Sequence, residues 1–187
     1  MANTATSIYL DGTSDDYIET GINFASYGGE FTLECWCNPS RDTTREGLFG
    51  SGTNDDLDIE FQADNDIHVF MRKADGTSYA SNMVIAAADI APKQRWQHIA
   101  VCRIANTAVM FHNGVCKGTA AENMDYFPSD VADFRVGNYA GSLNFQGYMD
   151  GVRISKTARY GNFETPTTQL NTWQTAGRGQ NALLPHH

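Results

Sequence analysis

The sequence predicts an all-β protein built as a two-sheet antiparallel sandwich, and three observations support this prediction. Apolar and polar residues alternate with a period of two in many short runs, as expected for half-buried strands. Clusters of Gly, Asn, Asp and Pro separate these runs at short intervals. No segment shows a helical period over two turns or more.

Each predicted strand is a run rich in β-branched, aromatic or alternating residues that ends at turn residues. In chain order the predicted strands are Ser7–Leu10, Tyr17–Thr20, Phe31–Cys37, Gly47–Ser51, Leu57–Ala63, Ile67–Lys73, Ser78–Ile85, Trp96–Arg103, Thr107–His112, Val115–Thr119, Ala132–Gly137 and Leu143–Ser155. Pro39 ends the third strand, because proline cannot donate a hydrogen bond to a strand ladder.

Local patterns also predict how some strands are connected. Asn113-Gly114 is the strongest hairpin signal, because both positions of a type I′ turn need a positive φ. The first two strands are predicted to form a meander, and the four strands of residues 47–85 to be consecutive antiparallel neighbours. A helical turn fits only two places, residues 86–92 and residues 157–160.

The chain is predicted to hold one globular domain at residues 1–168 and an extended C-terminal tail at residues 169–187. At 187 residues the chain is long enough to bury one core without disulfides or metals. Periodicity is lost from Leu170 onward, which indicates an extended arm or linker. The final His186-His187 is either native or part of a tag.

Composition and charge exclude several classes of partner. The chain carries 13 basic and 22 acidic residues, for a net charge of -9, which repels phosphate backbones and anionic lipids. No apolar run approaches the roughly 20 residues that span a bilayer. The N-terminus shows neither a basic nor an apolar segment of a signal peptide. We therefore expect no nucleic-acid partner, no membrane partner and no export by a secretory signal.

The four cysteines, Cys35, Cys37, Cys102 and Cys116, show no CxxC spacing of a zinc or redox site. Cys35 and Cys37 lie two apart on a predicted strand and so share one face. We predict that all four are reduced, buried or half-buried thiols, as in a protein that folds in a reducing cytoplasm. A Cys102–Cys116 bridge across the hairpin is the alternative.

Several ordered segments resemble the laminin-G-like modules of the concanavalin A-like superfamily. The resemblance spans Ser7 to Pro166. Its segments are Tyr9-Leu10-Asp11-Gly12 with Asp16-Tyr17-Ile18, Phe31-Thr32-Leu33-Glu34-Cys35-Trp36, Trp96-Gln97-His98-Ile99-Ala100-Val101, Phe111-His112-Asn113-Gly114, and Gly147-Tyr148-Met149-Asp150-Gly151-Val152-Arg153-Ile154-Ser155-Lys156 with Ala158-Arg159-Tyr160. The chain departs from the family pattern at Gly151, where an acidic residue is usual, and at Cys35 and Cys37, where apolar residues are usual.

The resemblance implies a concanavalin A-like jelly roll that most commonly binds carbohydrate or protein, and we expect no enzymatic activity. The last segment resembles modules of bacteriophage structural proteins. This implies a decoration or fibre-type virion protein, made in the host cytoplasm, that contacts other virion proteins and host cell-surface carbohydrate. Virion appendages have closed symmetry, so a homo-oligomer is expected. The alternative is a purely structural cement protein that contacts only other virion subunits.

A third function, glycoside hydrolysis, is suggested by Asp56-Leu57-Asp58-Ile59-Glu60, because alternate strand positions share a face. This run is similar to the Glu-x-Asp-x-Glu signature of retaining endoglucanases. The similarity implies Asp56 as nucleophile, Asp58 as its helper and Glu60 as general acid. However, the carboxyl groups of a retaining enzyme lie about 5–5.5 Å apart, whereas four positions along a strand span about 13 Å. We therefore favour a solvated acidic strand face over catalysis.

Calcium is the one cofactor that the sequence suggests. Asp11 and Asp150 are the candidate ligands, because the first and last strands of a jelly roll can lie side by side. Alternatively, Asp11 caps its own turn and Asp150 accepts nearby backbone hydrogen bonds. The histidines His68, His98 and His112 show no metal-binding spacing and are predicted to be sheet residues.

Overall fold

A computed structural model describes residues 7–23, 30–41, 43–51, 57–71, 83–87, 94–104, 107–121, 133–160 and 181–183. These residues form strands and connecting turns. The strands are β1 (Ile8–Asp11), β2 (Ile18–Glu19), β3 (Phe31–Pro39), β4 (Glu46–Ser51), β5 (Leu57–Phe61), β6 (Ile67–Met71), β7 (Met83–Ile85), β8 (Gln97–Ile104), β9 (Thr107–His112), β10 (Val115–Ala121), β11 (Phe134–Val136), β12 (Asn138–Tyr139), β13 (Leu143–Asn144), β14 (Gln146–Ser155) and β15 (Asn181–Leu183).

The strands form two sheets, which confirms the predicted all-β, two-sheet jelly-roll sandwich. Sheet A has the order β1-β14-β3-β8-β9-β10, with β15 also paired to β14. Sheet B has the order β12-β13-β4-β5-β6-β7, with β11 paired to both β4 and β2. All pairings are antiparallel except that of β13 with β4. The two sheets bury their inner faces against each other in one core.

Alternation along each strand decides which side chains enter this core. In β3, Leu33, Cys35 and Cys37 belong to the core, so Glu34 and Trp36 lie on the outer face of sheet A. In β5 the same rule places Leu57, Ile59 and Phe61 inside. Each fully buried side chain of this size stabilises the fold by about 1.5–3 kcal/mol. The period-two pattern therefore sets both the core and the residues available on the outer faces.

The hairpin prediction is confirmed. Asn113 and Gly114 have φ values of 48° and 86°, and they connect β9 to its antiparallel partner β10. The predicted antiparallel order of the four strands of residues 47–85 is also found, as β4-β5-β6-β7. The four cysteines are free thiols, and burial raises the pKa of the Cys37 and Cys102 thiols.

Two local predictions are wrong. The first two strands do not form a meander, because β1 pairs with β14 in sheet A while β2 pairs with β11 in sheet B. Residues 157–160 form no helical turn, but lie against the outer face of sheet A. Most of residues 86–92 lie outside the described residues. Among the residues described, no helix is long and apolar enough to cross a membrane.

Candidate functional site

The acidic strand predicted from the sequence is β5, and it lies in the middle of sheet B. Asp58 and Glu60 alternate with core residues, so both lie on the outer face of this sheet. Their cross-strand neighbours on β6 are Phe70 and His68. Asp56 lies outside the described residues. Both carboxylates are fully buried, so the expectation of a solvated acidic face is wrong.

Glu60 is buried because Arg45 covers it. The guanidinium of Arg45 donates two hydrogen bonds to the carboxylate, Nε to Oε2 at 2.8 Å and Nη2 to Oε1 at 2.7 Å. Gln62 donates a further hydrogen bond to Oε1. This hydrogen bonding with Glu60 raises the pKa of Arg45. The side chain of Arg45 remains 45% exposed, so it carries the cluster to the molecular surface.

An aromatic ring lies beside this ion pair. The Tyr139 ring centroid lies 6.0 Å from Cζ of Arg45, within the range of a cation–π contact. Tyr139 fits there because β4 has glycine at the two positions beneath it. A Cβ atom added at Gly47 would lie 2.6 Å from Cβ of Tyr139, and one added at Gly50 would lie 2.9 Å from it. We call Arg45, Asp58, Glu60 and Tyr139 the carboxylate face.

A second arginine extends the carboxylate face across β4. Arg135 lies opposite Gly50 in the β11–β4 pairing, so it shares the outer face with Tyr139. Its guanidinium carbon lies 4.2 Å from the ring centroid of Tyr17. Nη2 of Arg135 lies 3.7 Å from Oδ2 of Asp133, and Nη1 donates a hydrogen bond to Asn138 Oδ1 at 3.3 Å. The face therefore combines guanidinium donors, carboxylate acceptors and aromatic rings.

The geometry around Glu60 bears on the glycosidase hypothesis. Both of its oxygens accept hydrogen bonds from Arg45, which has only donors to offer. Asp58 and Glu60 lie two positions apart on β5, a Cα separation of about 6.6 Å. In the described part of the strand, Glu60 is therefore held in an ion pair with Arg45.

The two candidate calcium ligands are not brought together. β1 and β14 do lie side by side, but Asp11 pairs with Gln146. Asp150 lies four positions further along β14, which is about 13 Å. Asp11 accepts a hydrogen bond from the amide of Thr13 at 2.8 Å, and the Thr13 side chain together with this amide lowers the pKa of Asp11. Asp150 accepts one from the amide of Gly151 at 2.7 Å.

These contacts are the alternative roles that the sequence left open for Asp11 and Asp150. Among the described residues, no group of three or more His, Cys, Asp or Glu side chains could hold a metal ion. Calcium binding stays a prediction without support from the positions of these two carboxylates.

A buried ionic cluster occupies the outer face of sheet A. Glu34 is fully buried there, because residues 156–160 cross over the sheet. Tyr160 donates a hydrogen bond to its carboxylate. His98 lies 3.4 Å from Glu34 Oε2, and Arg153 and Arg159 lie 3.5 Å and 3.4 Å from Oε1. We call these five residues the Glu34 cluster.

The cluster sets the ionisation of its members. Burial alone raises the pKa of Glu34, but hydrogen bonds from His98 and Tyr160 and the charge of Arg153 lower it below its ordinary value. Burial and the neighbouring carboxylate raise the pKa of the Tyr160 hydroxyl. The cluster therefore holds a carboxylate anion next to a neutral phenol. It anchors residues 156–160 to the sheet and leaves no access for a ligand.

The predicted sheet histidines lie in three different environments. His98 belongs to the Glu34 cluster, and the ring centroid of His68 lies 5.5 Å from that of Phe70. His112 is buried, and its Nε2 lies 3.0 Å from Gln97 Oε1. Burial lowers the pKa of His112 to about 4, with a further contribution from Lys117. The three rings do not converge on one site.

A family model matches most of the chain, in agreement with the two-sheet architecture. The family model Laminin_G_3, described as the concanavalin A-like lectin/glucanases superfamily, matches residues 3–161. The chain belongs to this family. Among curated proteins, none matches the sequence.

Solved structures share the laminin-G-like fold at low sequence identity. The leech intramolecular trans-sialidase superposes with a TM-score of 0.63 at 16% identity, over 83% of this chain and 26% of that protein. The Ruminococcus gnavus IT-sialidase CBM40, bound to α2,3-sialyllactose, gives 0.63 at 13% identity, over 81% and 90% of the two chains. A heptameric SAP-like pentraxin from Limulus polyphemus gives 0.53 at 12% identity, over 84% and 79%. At these identities the likeness establishes the fold alone.

Sequence reasoning found part of this candidate site. It identified Asp58 and Glu60, but neither Arg45 nor Arg135. Arg45 lies 15 residues before Glu60, and only the β4–β5 pairing brings them together. The available signal was an isolated arginine just before a predicted strand, which carries no information about its partner.

Proposed function

We propose that this chain is a non-enzymatic virion accessory protein, of the decoration or fibre type, whose jelly roll binds host glycans through the carboxylate face. The observation that carries the proposal is the Arg45–Glu60–Tyr139 arrangement. It presents a half-exposed guanidinium, fixed by a buried carboxylate, beside an aromatic ring.

This arrangement suits a ligand rich in hydroxyl groups. A guanidinium has five N–H donors, and two of them are used by Glu60. Among the described residues no other acceptor is seen for the remaining donors, which leaves them for sugar oxygens. The ion pair fixes the guanidinium in place, so binding costs little side-chain entropy. Because Arg45 and Glu60 balance each other in charge, hydrogen bonding rather than net charge would select the ligand.

The comparisons support a glycan as the ligand class. Matching structures include a carbohydrate-binding module in complex with α2,3-sialyllactose and the same module with α2,6-sialyllactose. A putative carbohydrate-binding protein from Bacteroides ovatus also matches, with a TM-score of 0.54. A carbohydrate-binding module with this fold thus binds a sialylated glycan, which supports a glycan ligand for this chain.

The virion setting is proposed from the sequence. The segment from Gly147 to Tyr160 resembles the corresponding segment of phage structural proteins. The residues after the matched family region, 162–187, provide a length of chain that can contact a neighbouring virion subunit. A homo-oligomer is part of this proposal, because virion appendages assemble with closed symmetry.

A glycan array tests the binding proposal directly. The native protein should bind a defined subset of glycans, and Arg45→Lys should reduce that signal at least tenfold. Lysine keeps the positive charge next to Glu60, so the fold is retained. It loses the two-pronged hydrogen bond that fixes the guanidinium. Lys117→Gln is the matched control, because Lys117 is an exposed cation on β10 of the opposite sheet. It should leave the array signal unchanged.

Other outcomes would favour the other functions. If the native protein bound no glycan but bound purified capsid or tail subunits, the cement-protein function would replace this proposal. If the native protein hydrolysed β-glucan and Glu60→Gln abolished that activity, the glycosidase function would replace it.

A further inference from the structure

A row of aromatic side chains crosses the outer face of sheet A, on the opposite side of the sandwich from the carboxylate face. Tyr9 on β1 pairs with Tyr148 on β14, and Tyr148 pairs with Asn38 on β3. Since Cys37 pairs with Gln97, Trp96 comes opposite Asn38. The ring centroids of Tyr9 and Tyr148 lie 4.9 Å apart, and those of Tyr148 and Trp96 lie 6.5 Å apart. We call Tyr9, Tyr148 and Trp96 the aromatic row.

The aromatic row is accessible. Tyr9 and Tyr148 are 47% and 44% exposed, and among the described residues the only other exposed large hydrophobic side chain is Val115. The two tyrosines are adjacent, so they form a continuous patch rather than isolated exposed residues. Exposed aromatic patches of this kind mark binding surfaces more often than single exposed side chains do.

We propose that the aromatic row is a second carbohydrate site, which binds uncharged, β-linked hexopyranose chains by stacking. A β-linked glucopyranose has all its substituents equatorial and therefore a flat C–H face that packs on an aromatic ring. Tyrosine and tryptophan are amphipathic, so they can pack on this face and hydrogen-bond at the ring edge. Asn38, in the middle of the row, adds an amide donor and acceptor.

The dimensions of the row fit a short oligosaccharide. The ring centroids follow one another at 4.9 Å and 6.5 Å, and neighbouring rings are inclined by 54° and 48°. Each ring therefore offers a face of its own, on which one sugar unit can pack.

Charge selects against anionic sugars. No member of the row is charged, and the nearest same-face residues along β1 and β14 are Ser7, Asp11, Gln146 and the buried Asp150. The exposed carboxylate of Asp11 repels carboxylate or sulfate groups on a ligand. An uncharged glycan is thus the ligand class that matches both the rings and their surroundings.

The row is too small to serve as a stable contact with a second copy of the chain. Three partly buried rings of about 150–250 Å² each leave roughly 300 Å² accessible. A standard protein interface buries about 800 Å² on each partner. A linear sugar needs no such area, because each unit contacts one ring.

Isothermal titration of the full chain with cellohexaose tests the proposal. The native protein should bind cellohexaose, and Tyr148→Ala should weaken binding at least tenfold. Val115→Ala is the matched control, since it removes the other exposed apolar side chain and should leave binding unchanged. Maltohexaose, which is α-linked, should bind at least tenfold more weakly than cellohexaose.

Three results would overturn the proposal: no binding of cellohexaose at millimolar concentration, equal binding of maltohexaose, or equal binding by Tyr148→Ala. Concentration-dependent self-association that Tyr148→Ala abolishes would assign the row to a protein contact instead. Arg45→Lys separates the two sites, because it should leave cellohexaose binding intact. The aromatic row and the carboxylate face can therefore fail independently.

Discussion

Glu34 would face solvent by its position on β3, yet it is fully buried on the outer face of sheet A. Burying a carboxylate without partners costs several kcal/mol, so the folded state needs every compensating contact. Arg153, Arg159, His98 and Tyr160 supply these contacts. Three of them follow Glu34 by more than 100 residues, so the cluster ties the end of the family region back to its third strand.

Tyr160→Phe should destabilise the protein. The substitution removes the hydroxyl that donates to Glu34 and leaves the ring packed against Phe111, with centroids 5.8 Å apart. A lost hydrogen bond to a buried charge lowers the free energy of unfolding by about 1–3 kcal/mol. Urea denaturation measures this change. Tyr9→Phe is the control, and an equal loss in both variants would contradict the role of the Glu34 contact.

His112 should make stability depend on pH. Its pKa is lowered from 6.5 to about 4 in the folded state, because it is buried. The folded state therefore favours the neutral imidazole of His112. This contribution to stability is fully present above pH 6.5 and is lost as the pH falls through about 4. Between pH 7.5 and 4.5 the free energy of unfolding should fall by about 2 kcal/mol from this group.

Urea titrations of native protein and His112→Gln at several pH values test the assignment to His112. The variant should lose the decrease that begins near pH 6.5. It should keep the decrease at lower pH that comes from Glu34, whose pKa lies below its ordinary value. A variant with an unchanged pH profile would show that another group controls the transition.

At the scale of strands, sequence predicted local structure better than long-range pairing. Alternation identified all eleven strands β1–β11, except for their exact ends, and turn residues identified the β9–β10 hairpin. Nothing local to β1 or β2 shows that they enter different sheets, because their partners β14 and β11 lie more than 100 residues away. The short β12 and β15 were missed for the same reason, since strands this short depend on their neighbours.

Gly47→Ala should be strongly destabilising. Its Cβ would lie 2.6 Å from Cβ and 2.7 Å from the amide nitrogen of Tyr139, and a backbone neighbour cannot move away easily. We expect a loss of about 1–3 kcal/mol, as for other overpacked sites. Gly118→Ala is the control, because the nearest atom to its Cβ is 4.0 Å away. Thermal denaturation of both variants measures the difference, and equal melting temperatures would contradict the packing of Tyr139 on β4.

At the scale of the whole molecule, the tail adds a strand beyond the matched family region. The family match ends at residue 161, while β15 pairs with residues 153–155 of β14. β1 occupies the same edge of β14 at residues 146–149. β15 therefore pairs with the part of the β14 edge that β1 does not cover.

Removal of residues 169–187 tests the predicted domain boundary. Because the described core residues all lie between Leu10 and Tyr160, the protein of residues 1–168 should keep one cooperative thermal transition. Its melting temperature should fall by a few degrees, since the three residue pairs of the β14–β15 ladder are lost. Light scattering on the same sample should show whether the proposed oligomer needs the tail. Loss of cooperative unfolding would move the domain boundary to the end of the chain.

The two outer faces differ in chemistry. Sheet B presents charged donors and acceptors next to Tyr139, whereas sheet A presents an uncharged aromatic row. A domain with a sugar site on each face could bridge two glycans. The proposals for the two faces rest on different residues, so each is tested by its own variants.

The most direct test of glycan binding through the carboxylate face is an NMR titration of the full-length, ¹⁵N-labelled protein with the glycan that gives the strongest array signal. We predict saturable shift changes for amides of β4, β5 and β12 and for the Arg45 side chain, with little change in β8 and β9. Saturable changes confined to sheet A, or none in β4 and β5 at a glycan concentration that saturates the array signal, would contradict this account.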